Sequence, residues 1–167
     1  GLTVATTKDL CKAAKLQNGG IYYYFSTKEE IVLACAEEAI NRIEKGAFAI
    51  VFEDISDIKS MMDHLGDLAD KMSPTMRFLV SVCVSREYGE KVKPSLVRLA
   101  ARYPYYTGRI AEILGCTDKQ VAPLVHLSIL SINYYMNFHV RPPTDQPIET
   151  AKKELSRLAE SKGRNDR

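Results

Sequence analysis

An all-α fold follows from two features of the 167-residue sequence. Apolar residues recur at steps of three and four, the period that keeps side chains on one face of an α-helix, whereas alternating apolar and polar runs are scarce. Glycine, proline and capping residues then punctuate these runs at helix-length intervals. Apolar residues make up 46% of the chain and charged residues 26%, which is enough apolar material for a packed core and too much for a disordered chain.

The expected helices span 7–14, 18–24, 28–52, 55–72, 75–88, 91–114, 118–139 and 148–161. Thr6 can cap the first, in which Leu10 and Ala14 face inward and Lys8, Asp9 and Lys12 stay in water. Lys15, Leu16 and Gln17 form a turn. The second helix starts near Asn18 and carries Ile21 and Phe25 on its inner face. Thr27 with Glu30 is a capping box for the third. In the fourth, Ile55, Ile58, Met62, Leu65, Leu68 and Met72 oppose Asp57, Lys59, Asp63, Asp67 and Asp70. Ser73-Pro74 is read as a break, because proline restricts the residue before it and favours a first turn. Gly89 is expected to end the next helix, and Val92, Leu96, Leu99 and Ala100 form the following apolar face. Pro104 should kink that helix or split it at Tyr103. Gly115-Cys116-Thr117 is a junction, with Thr117 and Gln120 as a second capping box. Residues 141–147 read as a linker too rich in proline for helix, and Ile148, Ala151, Leu155 and Leu158 mark the last helix. No internal repeat is present.

Charge and composition narrow the function classes. The net charge is only +2, yet residues 1–28 hold Lys8, Lys12, Lys15 and Lys28 against Asp9 alone, a local excess suited to a phosphate-facing surface. The four cysteines (Cys11, Cys35, Cys83 and Cys116) form no C-x-x-C pair and fit reduced thiols in a cytoplasmic protein. The most apolar stretch, 121–140, is interrupted by His126, Ser128, Ser131, Asn133, Asn137 and His139, so no membrane span is expected. G-x-S-x-G, phosphate-loop and H-E-x-x-H patterns are absent, and His64, His126 and His139 lack metal-ligand spacing. Neither catalysis nor a cofactor is expected.

The informative stretch is 6–30, TTKDLCKAAKLQNGGIYYYFSTKEE. Leu10, Ala14, Leu16, Ile21 and Phe25 make a miniature core that holds the second helix against the first. Asn18, Gly19, Tyr22 and Tyr23 are left on its outer face, and they are hydrogen-bonding or small, as a helix entering the major groove requires. Gly19 and Gly20 cost about 1 kcal/mol each in helix propensity, a cost that close approach to DNA would explain.

This segment resembles the helix-turn-helix of the TetR family of bacterial transcriptional regulators. The match falls on Leu10, Ala14, Gly19, Ile21, Tyr22, Tyr24, Phe25, Lys28 and Glu29, with Ile31 in place of the family's closing leucine. It covers about 30 of the 167 residues. Three positions depart from the family pattern: Lys15 stands for the turn glycine, Gln17 for serine and Gly20 for threonine. The resemblance implies that Thr6 and Thr7 bind phosphate through hydroxyls and helix N-terminal amides. It implies that Gln17 and Asn18 reach base edges or nearby phosphates, and that Tyr22 and Tyr23 touch backbone and thymine methyls. Lys28 would bind phosphate at the start of a long connecting helix. It further implies a basic helix ahead of Gly1.

Residues 1–46 are therefore expected to form the DNA-binding head with the start of the connecting helix, and 47–167 a ligand-binding and dimerisation domain. The resemblance implies a homodimer built on helices near 118–139 and 148–161, the first of which is apolar nearly all round. It also implies a pocket for a small-molecule effector. Its candidate lining is Met61, Met62, Phe78, Cys83, Tyr103, Tyr106, His126, Asn133, Tyr134 and Tyr135, residues that suit an adaptable apolar site with a few polar handles. The expected function is a DNA-binding transcriptional regulator, a repressor released from its operator by an effector. The alternative is a helical dimerisation and ligand-sensing module that has lost DNA binding.

Overall fold

The computed structural model describes residues 6, 8, 12, 20–49, 58–138 and 146–165, and everything below concerns these. A 3-10 turn at Gly20–Tyr23 leads into α1, Lys28–Phe48. There follow α2, Ile58–Cys83; α3, Gly89–Ala100; α4, Tyr103–Leu114; α5, Asp118–Phe138; and α6, Gln146–Asn165. No strand occurs among the described residues, so the protein is all-α.

Two apolar clusters organise the helices. In the first, Val32, Ala36 and Ile40 of α1 pack on Leu79 and Val82 of α2 and Val92 of α3, with the buried ring of Tyr88 closing the end. In the second, Ile110, Ala111 and Leu114 of α4 meet Val121 of α5 and Leu155 of α6. Helix α2 touches both groups, packing on α1 and α3 along one side and on α5 and α6 along the other.

Several boundaries differ from those the sequence predicts. Ser73-Pro74 does not divide two helices: α2 runs through it. Leu68, Ala69, Met72, Met76, Leu79 and Val82 keep a continuous three-four stripe across the proline, and burying that stripe outweighs the roughly 3 kcal/mol cost of an interior proline. Pro74 points its ring outward, while Ser73 is buried and donates from Oγ to the Ala69 carbonyl at 2.9 Å. Pro94 and Pro123 are likewise exposed inside α3 and α5.

Gly89 starts α3 instead of ending its predecessor, which stops at Cys83. A Cβ on Gly89 would lie 2.5 Å from the Cys83 carbonyl oxygen, so only glycine lets the chain double back there. The helix expected over 91–114 is split after Ala100, as Pro104 requires, and Pro104 falls in the first turn of α4. Gly115 ends α4 in the left-handed conformation, φ 63°, and its N–H closes on α4 carbonyls. Beyond it, Gln120 Oε1 accepts from the Thr117 N–H at 3.0 Å, one half of the expected capping box, while the Thr117 hydroxyl donates to the same oxygen at 2.9 Å. The proline-rich linker is shorter than predicted, since α6 begins at Gln146 with Pro147 in its first turn, where no intrahelical donor is needed. Residues 141–145 lie outside the described part.

Gly89→Ala is expected to lower stability by about 1–3 kcal/mol in urea unfolding, because the Cys83 carbonyl is main chain and has little room to move. Gly115→Ala should cost about 1 kcal/mol, from the left-handed conformation alone.

Candidate nucleic-acid interface and apolar cavity

The head is positioned by a small apolar contact. Ile21 of the 3-10 turn and Ile31 of α1 are buried against each other, with Phe25 packed beside them. The amides of Tyr24 and Phe25 both donate to the Ile21 carbonyl, at 3.1 and 3.0 Å, which closes the turn. Holding Ile21 inward forces the next three side chains out: Tyr22, Tyr23 and Tyr24 are 52, 85 and 74% exposed. The rings of Tyr23 and Tyr24 meet edge to face, 5.0 Å between centroids.

A cap then fixes the start of α1. Thr27 is extended (φ −136°, ψ 158°), and its Oγ1 accepts from the Glu30 N–H at 3.1 Å. The Glu30 carboxylate reaches back to accept from the Ser26 N–H at 2.7 Å. Lys28 therefore sits in the first turn of a capped helix, at the positive end of the helix dipole, which favours an anion.

Downstream, α1 and α3 run in the same direction and are joined by a ladder of charges. Glu29 pairs with Lys91, and Glu37 with Arg98. The second Glu37 oxygen accepts from Ser95 Oγ at 2.7 Å, and Glu44 accepts from Arg102 Nε at 2.7 Å. Exposed pairs of this kind stabilise by at most about 1 kcal/mol each, so the ladder sets register more than it adds stability.

Beside the last rung lies a cavity of about 300 Å³. Ile43 and Ala47 of α1 form one wall; Met72 and Met76 of α2, Tyr103 and Tyr106 of α4, and Asn133 and Met136 of α5 form others. Tyr103 is anchored by donating to the Ala122 carbonyl at 2.7 Å, and its ring meets His126 edge to face. Burial pushes both the Tyr103 and the Tyr106 phenols above their ordinary pKa, so both stay neutral.

A family model described as bacterial regulatory proteins, tetR family, matches residues 1–35. The chain is also 26% identical over 179 residues to the uncharacterized HTH-type transcriptional regulator YfiR of Bacillus subtilis (strain 168), covering 96% of this chain and 80% of that relative. Residues 1–35 thus carry the sequence pattern of tetR-family DNA-binding heads, and the chain as a whole is similar to a transcriptional regulator. No solved structure matches it. No helix among the described residues is long and apolar enough to cross a membrane.

The structure places the sequence-predicted residues unevenly. Thr6 is exposed, Tyr22 and Tyr23 project from the head, and Lys28 lies at the start of α1. Thr7, Gln17, Asn18 and Gly19 lie outside the described residues, as do Leu10, Ala14 and Leu16 of the expected miniature core. The described part of the expected second helix, Gly20–Tyr23, is a 3-10 turn and not an α-helix. Of the predicted pocket residues, Tyr103, Tyr106 and Asn133 line the cavity. Phe78 and Cys83 belong instead to the α1–α2–α3 cluster. His126 is exposed, Tyr134 is half-exposed against Phe138, and Tyr135 donates to Asp70 Oδ1 at 2.7 Å. The side chains of Met61 and Met62 lie outside the described ones. Sequence reasoning missed Ile43, Ala47, Met72, Met76 and Met136, whose stripes look the same whether they face a cavity or a filled core. It also missed the ladder, although Glu29, Glu37 and Glu44 recur at about two-turn steps on α1.

Thr27→Ala is expected to lower stability by about 1 kcal/mol and to speed hydrogen exchange at the Glu30 amide, while amides in the middle of α1 keep their protection relative to global unfolding.

Proposed function

We propose that this regulator is a homodimeric repressor released from its operator by a small-molecule effector held in the cavity. The observation that carries the reading is that one helix serves both ends: α1 begins at Lys28 against the head and ends with Ile43 and Ala47 in the cavity wall. A molecule that fits the cavity in only one setting of α1 shifts the population of head positions. In this reading residues 1–46 are the DNA-binding head with its connecting helix, and 47–167 the sensing and dimerisation domain. Thr6, Thr7, Gln17, Asn18, Gly19, Tyr22, Tyr23 and Lys28 form the DNA-contacting set. The protein acts in the cytoplasm and carries no catalytic role.

Dimerisation is supported by an inversion on α5. Its buried side includes the small residues Ser128 and Ser131, while Leu130, Tyr134 and Phe138, one turn apart, are 53, 42 and 64% exposed. Large apolar side chains turned outward on successive turns suit a second copy of the same helix.

A gel shift on DNA upstream of the protein's own gene tests the DNA-contacting set. Tyr22→Ala is expected to weaken binding about tenfold, and Lys28→Ala to reduce the slope of log affinity against log salt by about 0.9 per protomer. Unchanged binding in both variants would favour the sensing module without DNA binding. Sedimentation tests the assembly: Leu130→Glu with Phe138→Glu should convert a dimer to a monomer, and a monomeric parent protein would rule the dimer out.

A further inference from the structure

The chemistry of the cavity restricts what it can take. None of its described lining residues is charged: the set is aliphatic, methionine and aromatic, with Asn133 and the two tyrosines as its polar members. Tyr103 already spends its hydroxyl proton on the Ala122 carbonyl. The charged pair nearest to this wall, Arg102 with Glu44, is closed on itself at 2.7 Å, so each partner is neutralised by the other. An ion entering such a site leaves water without a counter-charge, whereas an uncharged apolar body loses nothing by entering.

Asn133 is a further polar feature of the lining. The side-chain amide of Asn133 makes no hydrogen bond among the described residues, and it lines the cavity. Only its main chain is used, the Asn133 carbonyl accepting from Asn137 Nδ2 at 2.8 Å. An amide offers both a donor and an acceptor and so suits a hydroxyl or carbonyl. The volume, about 300 Å³, lies at the small end of ligand pockets. Met72, Met76 and Met136 supply unbranched, polarizable walls that fit a flexible chain as well as a ring.

We infer that the effector is an electrically neutral, compact and largely apolar molecule with one hydrogen-bonding group, seated with that group on Asn133. The inference rests on reading the cavity as the effector site.

Three probes of equal chain length and different charge test it: 1-decanol, decanoate and decyltrimethylammonium, each titrated into the full chain by calorimetry below its aggregation concentration. The alcohol is expected to bind at least tenfold more tightly than either ion. Asn133→Leu should weaken the alcohol about fivefold, the loss of one hydrogen bond. Ile132→Trp, which fills the cavity, should abolish binding; Ile129→Trp is the second filling variant, used if far-UV circular dichroism shows the first unfolded. An ion that binds as tightly as the alcohol, and is lost in the filling variant, overturns the neutral class while leaving the cavity as a ligand site. Binding of no probe, or binding that survives filling, overturns the cavity reading itself.

Discussion

The structure depends on the apolar stripe of α1. Ile31, Val32, Ala36 and Ile40 are almost wholly buried, and they face different partners along one helix. Ile31 holds the head through Ile21, while Val32, Ala36 and Ile40 join α2 and α3. The contacts that aim the tyrosines and those that build the first core cluster are thus made by neighbouring turns. A close-packed interior leaves little room for one of these turns to move without its neighbours.

Electrostatics and packing divide the work along this helix. The ladder from Glu29 to Glu44 lies on partly exposed side chains, where each pair adds little free energy but a wrong register would set charges without partners. The apolar face supplies the stabilising burial. The cavity opens where the two meet, near Ile43 and the Arg102–Glu44 pair, so the C-terminal end of α1 is less tightly filled than its middle. Ala36, in that middle, has no exposed surface at all.

Helix α5 shows a second division. Ser128 satisfies its hydroxyl on the Leu124 carbonyl at 3.0 Å and so can be buried without a partner from another helix, which lets neighbouring backbones come close. Small residues inside leave the larger Leu130, Tyr134 and Phe138 on the far side. Position on the helix, more than hydrophobicity, decides which of its residues meet this chain's own core.

What the sequence determined by itself is everything that depends on neighbours within about one helical turn: the all-α class, the Thr27–Glu30 and Thr117–Gln120 caps, the Gly115 stop and the Ile21–Phe25 face that turns Tyr22 and Tyr23 outward. The TetR-family pattern was legible for the same reason, since it lies within one short segment. Tertiary structure alone decided that α2 continues through Pro74, that Gly89 begins a helix, and that Asn133 but not His126 lines the cavity. These outcomes, like the Glu37–Arg98 rung, join residues distant in sequence, or weigh a local cost against burial that only the assembled bundle provides.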